Sequence, residues 1–152
     1  MGTYKRILAL VAFDSDAAAV AKRAVQLSRS YGATLALAAV VDYTAGFESD
    51  HVPFLTPDEM RQAIARDMRE KLDRMMAEVG AAGCEIIVGC GSEQKVVAEI
   101  TRSWRPDLVL VGSHARHGLE QNGERTAYDV LITQNGRPSF AGRIINALAA
   151  AL

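Results

Sequence analysis

The segment with the most chemistry in it is Gly112-Ser113-His114-Ala115-Arg116-His117-Gly118. Successive backbone N–H groups leading into a helix form a nest that attracts an anion, and glycines let the main chain come close to phosphate oxygens. Arg116 could add charge-assisted hydrogen bonds there. A polar solvated turn has the same composition, and a Gly/Ser-rich loop alone does not separate the two readings. His114 and His117 stand three apart, which a metal accepts, but the chain has only 3 histidines, the third being His51. No cysteine or acid cluster joins them, so exposed loop histidines are the better account and no metal is expected. Asp14 and Asp16 could pair on Mg²⁺, although helix capping explains them more simply. Ser113 beside His114 is not a nucleophile pair, because catalytic partners meet through folding and not through adjacency. No G-x-S-x-G, Walker A or G-x-G-x-x-G pattern follows any predicted strand. With no catalytic constellation in the sequence, a non-enzymatic protein is expected.

The elements that must hold this loop alternate regularly. Arg6 to Phe13 is an almost unbroken apolar run, as in a strand buried on both faces. Asp14 to Asp16 offer capping oxygens, and Val20, Ala24, Leu27 and Tyr31 then give helical spacing up to Gly32, which is placed to end the helix. Thr34 to Val41 reads as a second buried strand, and 42–55 as a loop. Thr56-Pro57-Asp58-Glu59 is a capping box with proline in the first turn. The helix it opens runs to about Val79, with Met60, Ile64, Met68, Leu72, Met75, Met76 and Val79 on a face expected to pack into the core. Gly80 and Gly83 end it. Glu85 to Cys90 is a third strand. Ser92 is expected to cap a helix that points Val96, Val97, Ile100 and Trp104 inward, and Pro106 stops that helix before a fourth strand, Asp107 to Gly112.

Strands alternating with helices imply right-handed βαβ crossovers and a parallel sheet covered on both faces, a three-layer α/β sandwich. Ligands of such sheets bind beyond the carboxyl ends of the strands, where the strand order reverses. The chemistry is therefore expected around 13–16, 41–43, 89–92 and 112–118.

Composition bounds the partners. The length, 152 residues, suits one domain spanning 1–152. A hydrophobic share of 49% and a charged share of 23% exclude disorder and fibrous repeats. With 17 Lys+Arg against 18 Asp+Glu, no broad basic surface advertises nucleic acid. The longest apolar runs fall far short of the ~20 residues that span a bilayer, so no membrane partner is expected. Lys5 and Arg6 before an apolar run imitate a secretory leader, but acidic Asp14 and Asp16 stand where a cleavage site needs small residues. Cys84 and Cys90, six positions apart on one strand, would lie ~20 Å apart. They cannot bridge, which fits a reducing cytoplasm.

Several of these segments together resemble the universal stress protein family. They are Tyr4-Lys5-Arg6-Ile7-Leu8, Val40-Val41-Asp42, Gly89-Cys90-Gly91-Ser92 and, most specifically, Pro106-Asp107-Leu108-Val109-Leu110-Val111-Gly112-Ser113-His114. The resemblance, over roughly 4 to 118, implies a five-stranded parallel sheet of order 3-2-1-4-5 and a homodimer pairing the fifth strands. It also implies a regulatory or stress-response role, with or without bound ATP or AMP, and an unknown regulatory protein as a further partner. The candidate nucleotide crevice it implies comprises Val40, Gly112, His114, Ala115, Arg116, Arg125 and Thr126, with adenine held largely by backbone near Val40.

The family's ATP-binding branch carries an Asp at the end of the first strand and the pattern G-x2-G-x9-G-[S/T]. Here those positions hold Ala12, Gly112, Ala115, Arg125 and Thr126, so only the first glycine and the hydroxyl match. Ala115 and Arg125 add bulk where backbone should approach phosphate, although Arg125 could itself neutralise one. ATP is expected to bind weakly or not at all, and no cofactor is expected. One alternative is a module that still holds an adenine nucleotide through Gly112, Arg116, Arg125 and Thr126. Another is a slow nucleotide hydrolase of the related adenine-nucleotide α-hydrolase type, but that group uses an S-G-G-x-D-S-like loop and Phe13-Asp14-Ser15-Asp16 has no glycine.

The C-terminal thirty residues admit two readings. One makes Thr126 to Thr133 a helix, with a strand opening at Pro138 and continuing to Arg143. The other, preferred for its β-branched content, makes Tyr128 to Thr133 the fifth strand, with a turn at Asn135-Gly136 and a helix from Phe140 to Leu152.

Overall fold

Five consecutive apolar residues, Ile7 to Val11, are each at most 5% exposed, and they form the centre of the molecule. A computed structural model describes residues 4–11, 17–41, 56–112, 128–134 and 137–140. The elements are β1 (Arg6–Val11), α1 (Ala17–Tyr31), β2 (Thr34–Val41), α2 (Pro57–Glu78), β3 (Glu85–Cys90), α3 (Glu93–Trp104), β4 (Leu108–Gly112), β5 (Asp129–Gln134) and β6 (Arg137–Phe140). They form one sheet of order β3-β2-β1-β4-β5-β6. The first five strands in that row are parallel and have the order 3-2-1-4-5.

The strict alternation of a strand divides β1 between two cores. Ile7, Ala9 and Val11 pack with Val20, Ala21, Ala24, Val25 and Leu27 of α1 and Leu72 and Met76 of α2. Leu8 and Leu10 pack on the other face with Val96, Val97, Ile100 and Trp104 of α3. Helices therefore cover both faces, as the apolar runs predict. Of the α2 stripe only Leu72 and Met76 are buried; Met68, Met75 and Val79 pack at the margin of that core, while Met60 and Ile64 are half-buried and belong to neither cluster.

Local signals place the helix ends. Thr56 Oγ1 accepts from the Glu59 N–H at 3.2 Å, with Pro57 in the first turn of α2. Ser92 corrects expectation: it occupies the N-cap position of α3 but its side chain makes no cap bond, and only its carbonyl accepts, from the Val96 N–H at 3.0 Å. α3 stops at Trp104, where Arg105 turns left-handed (φ 54°) just before Pro106.

The amino ends of the strands are tied by a polar network that the hydrophobic pattern does not reveal. The Asp107 carboxylate accepts from the Lys5 and Arg6 N–H groups at 2.8 and 2.9 Å. Tyr4 Oη donates to Asp129 Oδ2 at 2.7 Å. The Arg6 guanidinium lies 4.0 Å from the centre of the Trp104 ring, and Trp104 Nε1 donates to Glu85 Oε2 at 2.9 Å. These bonds brace β1, β3, β4 and β5 at the pole opposite the strands' carboxyl ends.

The C-terminal region settles in favour of strand over 129–133. β5 runs parallel to β4, from Leu108↔Asp129 to Gly112↔Thr133, which excludes a helix there. Two expectations are corrected. Arg137–Phe140 does form a strand despite its poor composition, and a terminal helix does not begin at Phe140, which pairs with Leu131. Antiparallel pairing supplies the backbone partners that propensity alone does not. Residues 141–152 lie outside the described residues.

Candidate functional site

At the carboxyl pole the described part of β1 ends at Val11. Its last pair with β2 is Val11↔Ala39, and its last with β4 is Leu10↔Val111. β2 continues through Val40 and Val41, which pair with Gly89 and Cys90 of β3. β4 continues to Gly112, which pairs with Thr133 of β5. Here the strand order reverses on either side of β1, the place where such sheets bind ligands; residues 12–16, which follow Val11, lie outside the described residues. Val40 and Gly112 therefore lie at one pole, on opposite sides of β1.

The β3 flank is built from small residues. The Gly91 N–H donates to the Val41 carbonyl at 3.0 Å and adds one rung beyond β3. Gly91 does so at φ 139°, a conformation that side chains rarely adopt. Gly89 lets α3 lie close against β3, and this brings the N-terminal turn of α3 to the rim. Val40 is half-buried and packs at the edge of the α3 core.

On the β4 flank, Thr133 is 1% exposed and its Oγ1 has no hydrogen-bond partner among the described residues. Sequence reasoning missed this residue. Its register opposite Gly112, at the mouth of a parallel sheet, is the signal that could have found it. His114, Ala115, Arg116, Arg125 and Thr126, together with Ala12, Asp14, Asp16, His51 and His117, lie outside the described residues.

The described side chains offer little reactive chemistry at neutral pH. Burial pushes the Cys84 thiol up, with the Glu85 carboxylate adding to it. Burial likewise raises Tyr128, and it raises Tyr4 with help from its bond to Asp129. All three move away from the range in which they could exchange a proton near pH 7. Cys84 and Cys90 are both free thiols, as expected. Among the described residues no group of three His, Cys, Asp or Glu side chains could hold a metal ion, and no helix is long and apolar enough to cross a membrane.

The sequence profile of the universal stress protein family matches residues 3–122. Universal stress protein A homolog 2 of Coxiella burnetii is 24% identical over 121 residues, which cover 79% of this chain and 82% of that protein. The structure of universal stress protein UspA from Lactobacillus plantarum superposes with a TM-score of 0.62 at 18% identity, covering 87% of this chain and 99% of that one. A universal stress protein solved in complex with cAMP gives a TM-score of 0.56 at 20% identity, over 85% of this chain and 95% of that one.

Proposed function

The chain belongs to the universal stress protein family, and from that premise we propose a single-domain, non-enzymatic regulatory or stress-response module of the cytoplasm whose nucleotide crevice is degenerate and holds ATP weakly or not at all. The observation that carries this reading is a mismatch between framework and lining. Val40 and Gly112 stand on opposite flanks of β1 at the carboxyl pole, where the strand order reverses. Yet the sequence places Ala12, Ala115 and Arg125 where the ATP-binding branch has an acid and two glycines. A methyl and a long cation at close-approach positions push the triphosphate off the backbone donors that would cradle it.

The adenine end is different, because its contacts with backbone near Val40 need no particular side chain. That favours a second reading, in which a smaller adenine nucleotide such as AMP is held through Gly112, Arg116, Arg125 and Thr126. The cAMP bound to a relative of the same fold is consistent with it. Both free cysteines suit a reducing compartment.

Isothermal titration of purified, nucleotide-stripped protein with ATP, AMP and cAMP separates these readings. Heats too weak to fit for all three support the degenerate crevice. AMP or cAMP binding without ATP supports the second reading, and micromolar ATP affinity removes the first. Phosphate release above background, abolished by Arg125→Ala, would make the protein a hydrolase instead.

A further inference from the structure

Among the described residues, two buried side-chain atoms have no hydrogen-bond partner: Arg23 Nε and Thr133 Oγ1. Buried polar atoms are nearly always satisfied, and an exception calls for an ordered water, an ion or a ligand. The two lie on one seam of the molecule.

The Arg29 guanidinium donates to the Gly80 carbonyl at 2.7 Å, so its flank of α1 faces the end of α2. Arg23 stands on the other flank, because the buried residues Val20, Ala21, Ala24, Val25 and Leu27 lie between the two arginines around the helix. That flank is turned away from α2, towards β4 and β5, both of which α1 contacts. On β5, Leu131 packs in the α1 core and Ile132 in the α3 core. Alternation along the strand therefore turns Thr133 to the α1 side as well.

Tyr4 sets a common level for both elements, since its ring packs on Tyr31 and its hydroxyl bonds Asp129. Arg23 is eight residues from Tyr31, about 12 Å along a helix. Thr133 is four residues from Asp129, about 13 Å along a strand. α1 joins two parallel strands and so runs back from the carboxyl pole, and both displacements lead towards that pole. The arginine side chain leans the same way, towards the helix N-terminus.

We propose that the seam between α1 and β5 is a site for an oxyanion of the phosphate class, held by Arg23 and the Thr133 hydroxyl. Both groups donate, a guanidinium matches the geometry of oxyanions, and a buried hydroxyl bonds strongly in a medium of low dielectric. The acid on that face of β5, Asp129, stands at the far end and already accepts from Tyr4. The site lies on the α1 side of the sheet and does not depend on the crevice holding a nucleotide. Inorganic phosphate and the phosphate of a nucleotide carry the same chemistry.

Calorimetric titration of the stripped full chain with inorganic phosphate, at constant ionic strength, tests this. Binding is expected, and it should weaken at least about tenfold in Thr133→Val and in Arg23→Gln, since each deletes a hydrogen bond to a charged ligand. Thr133→Ser, which keeps the hydroxyl, should bind as the wild type does. No binding by the wild type, or equal binding by the wild type, Thr133→Val and Arg23→Gln, overturns the site. Should Arg23→Gln not fold, Arg23→Lys replaces it, because it keeps the charge and loses Nε; the same weakening is expected and its absence counts the same way. Phosphate displaced by excess AMP supports the site with a nucleotide's phosphate as occupant, and phosphate that AMP leaves in place supports it with the free anion.

Discussion

Gly89 of β3 and Val96 of α3 approach so closely that a Cβ on the glycine would lie 2.2 Å from Val96 Cγ1, with Ile100 Cδ1 behind it at 3.7 Å. A valine in a helix has one strongly preferred rotamer and cannot swing aside cheaply. The glycine therefore sets the distance between the rim of the crevice and the helix that backs it.

Gly89→Ala should cost about 1–3 kcal/mol, the usual penalty of an overpacked core. The same substitution in a Val96→Ala background should cost markedly less, since the obstructing methyl is gone. Urea denaturation of the four proteins of that double-mutant cycle measures the coupling. Strict additivity would mean that the contact is not what constrains the site.

Tyr4 and Asp129 give a pH-dependent prediction. Tyr4→Phe keeps the T-shaped ring packing on Tyr31, at 5.2 Å between centroids, but deletes the hydrogen bond to the carboxylate. At pH 8 the loss should be about 1.5–3 kcal/mol, as for a hydrogen bond to a charged group. The folded-state pKa of Tyr4 is raised, by burial first and by Asp129 next, so the unfolded chain releases this proton before the folded one does. The contribution is complete below the ordinary tyrosine pKa of about 10 and declines as pH rises above it. The stability difference between wild type and Tyr4→Phe should accordingly shrink between pH 9 and 11. A constant gap would show that the hydroxyl does not titrate as the buried bond requires.

The strands were legible because burial on both faces leaves little choice of residue: Ile7 to Val11 and Leu108 to Val111 could be little else. α1 and α3 showed a helical period for the same reason. The network of Tyr4, Asp107 and Asp129 was not legible, because it joins residues more than a hundred positions apart whose types also suit a solvated turn. A strand opening at Pro138 belonged to the reading that was not preferred, because the pairing with β5 that makes β6 a strand is not displayed by its own four residues. Thr133 escaped notice since a threonine in a strand is ordinary; only its register beside Gly112 places it at the site.

The Thr133 hydroxyl, buried and without a partner among the described residues, should destabilise the ligand-free protein. Thr133→Val replaces it with a methyl of nearly the same shape and should stabilise the fold by about 1 kcal/mol. Thermal and urea midpoints of the two proteins, both stripped of nucleotide, provide the comparison. A loss of stability in the valine variant would reveal a hydrogen bond that this hydroxyl makes in solution.

If bulk at the phosphate end is what weakens ATP, its removal should restore binding. Ala115→Gly reopens one point of backbone approach and Arg125→Gly the other, while Gly112 and Thr126 already match the ATP-binding pattern. The double variant should gain at least about tenfold in ATP affinity over wild type, equivalent to about 1.4 kcal/mol. AMP, which places no phosphate at the distal positions, should change less. Arg125→Ala alone distinguishes two roles for that residue: improved ATP binding identifies an obstruction, and weakened binding identifies a cation that holds phosphate. A double variant that binds ATP no better than wild type would move the cause elsewhere, to Ala12 at the end of the first strand. Ala12→Asp, added to the two glycines, would then be the variant that recovers affinity.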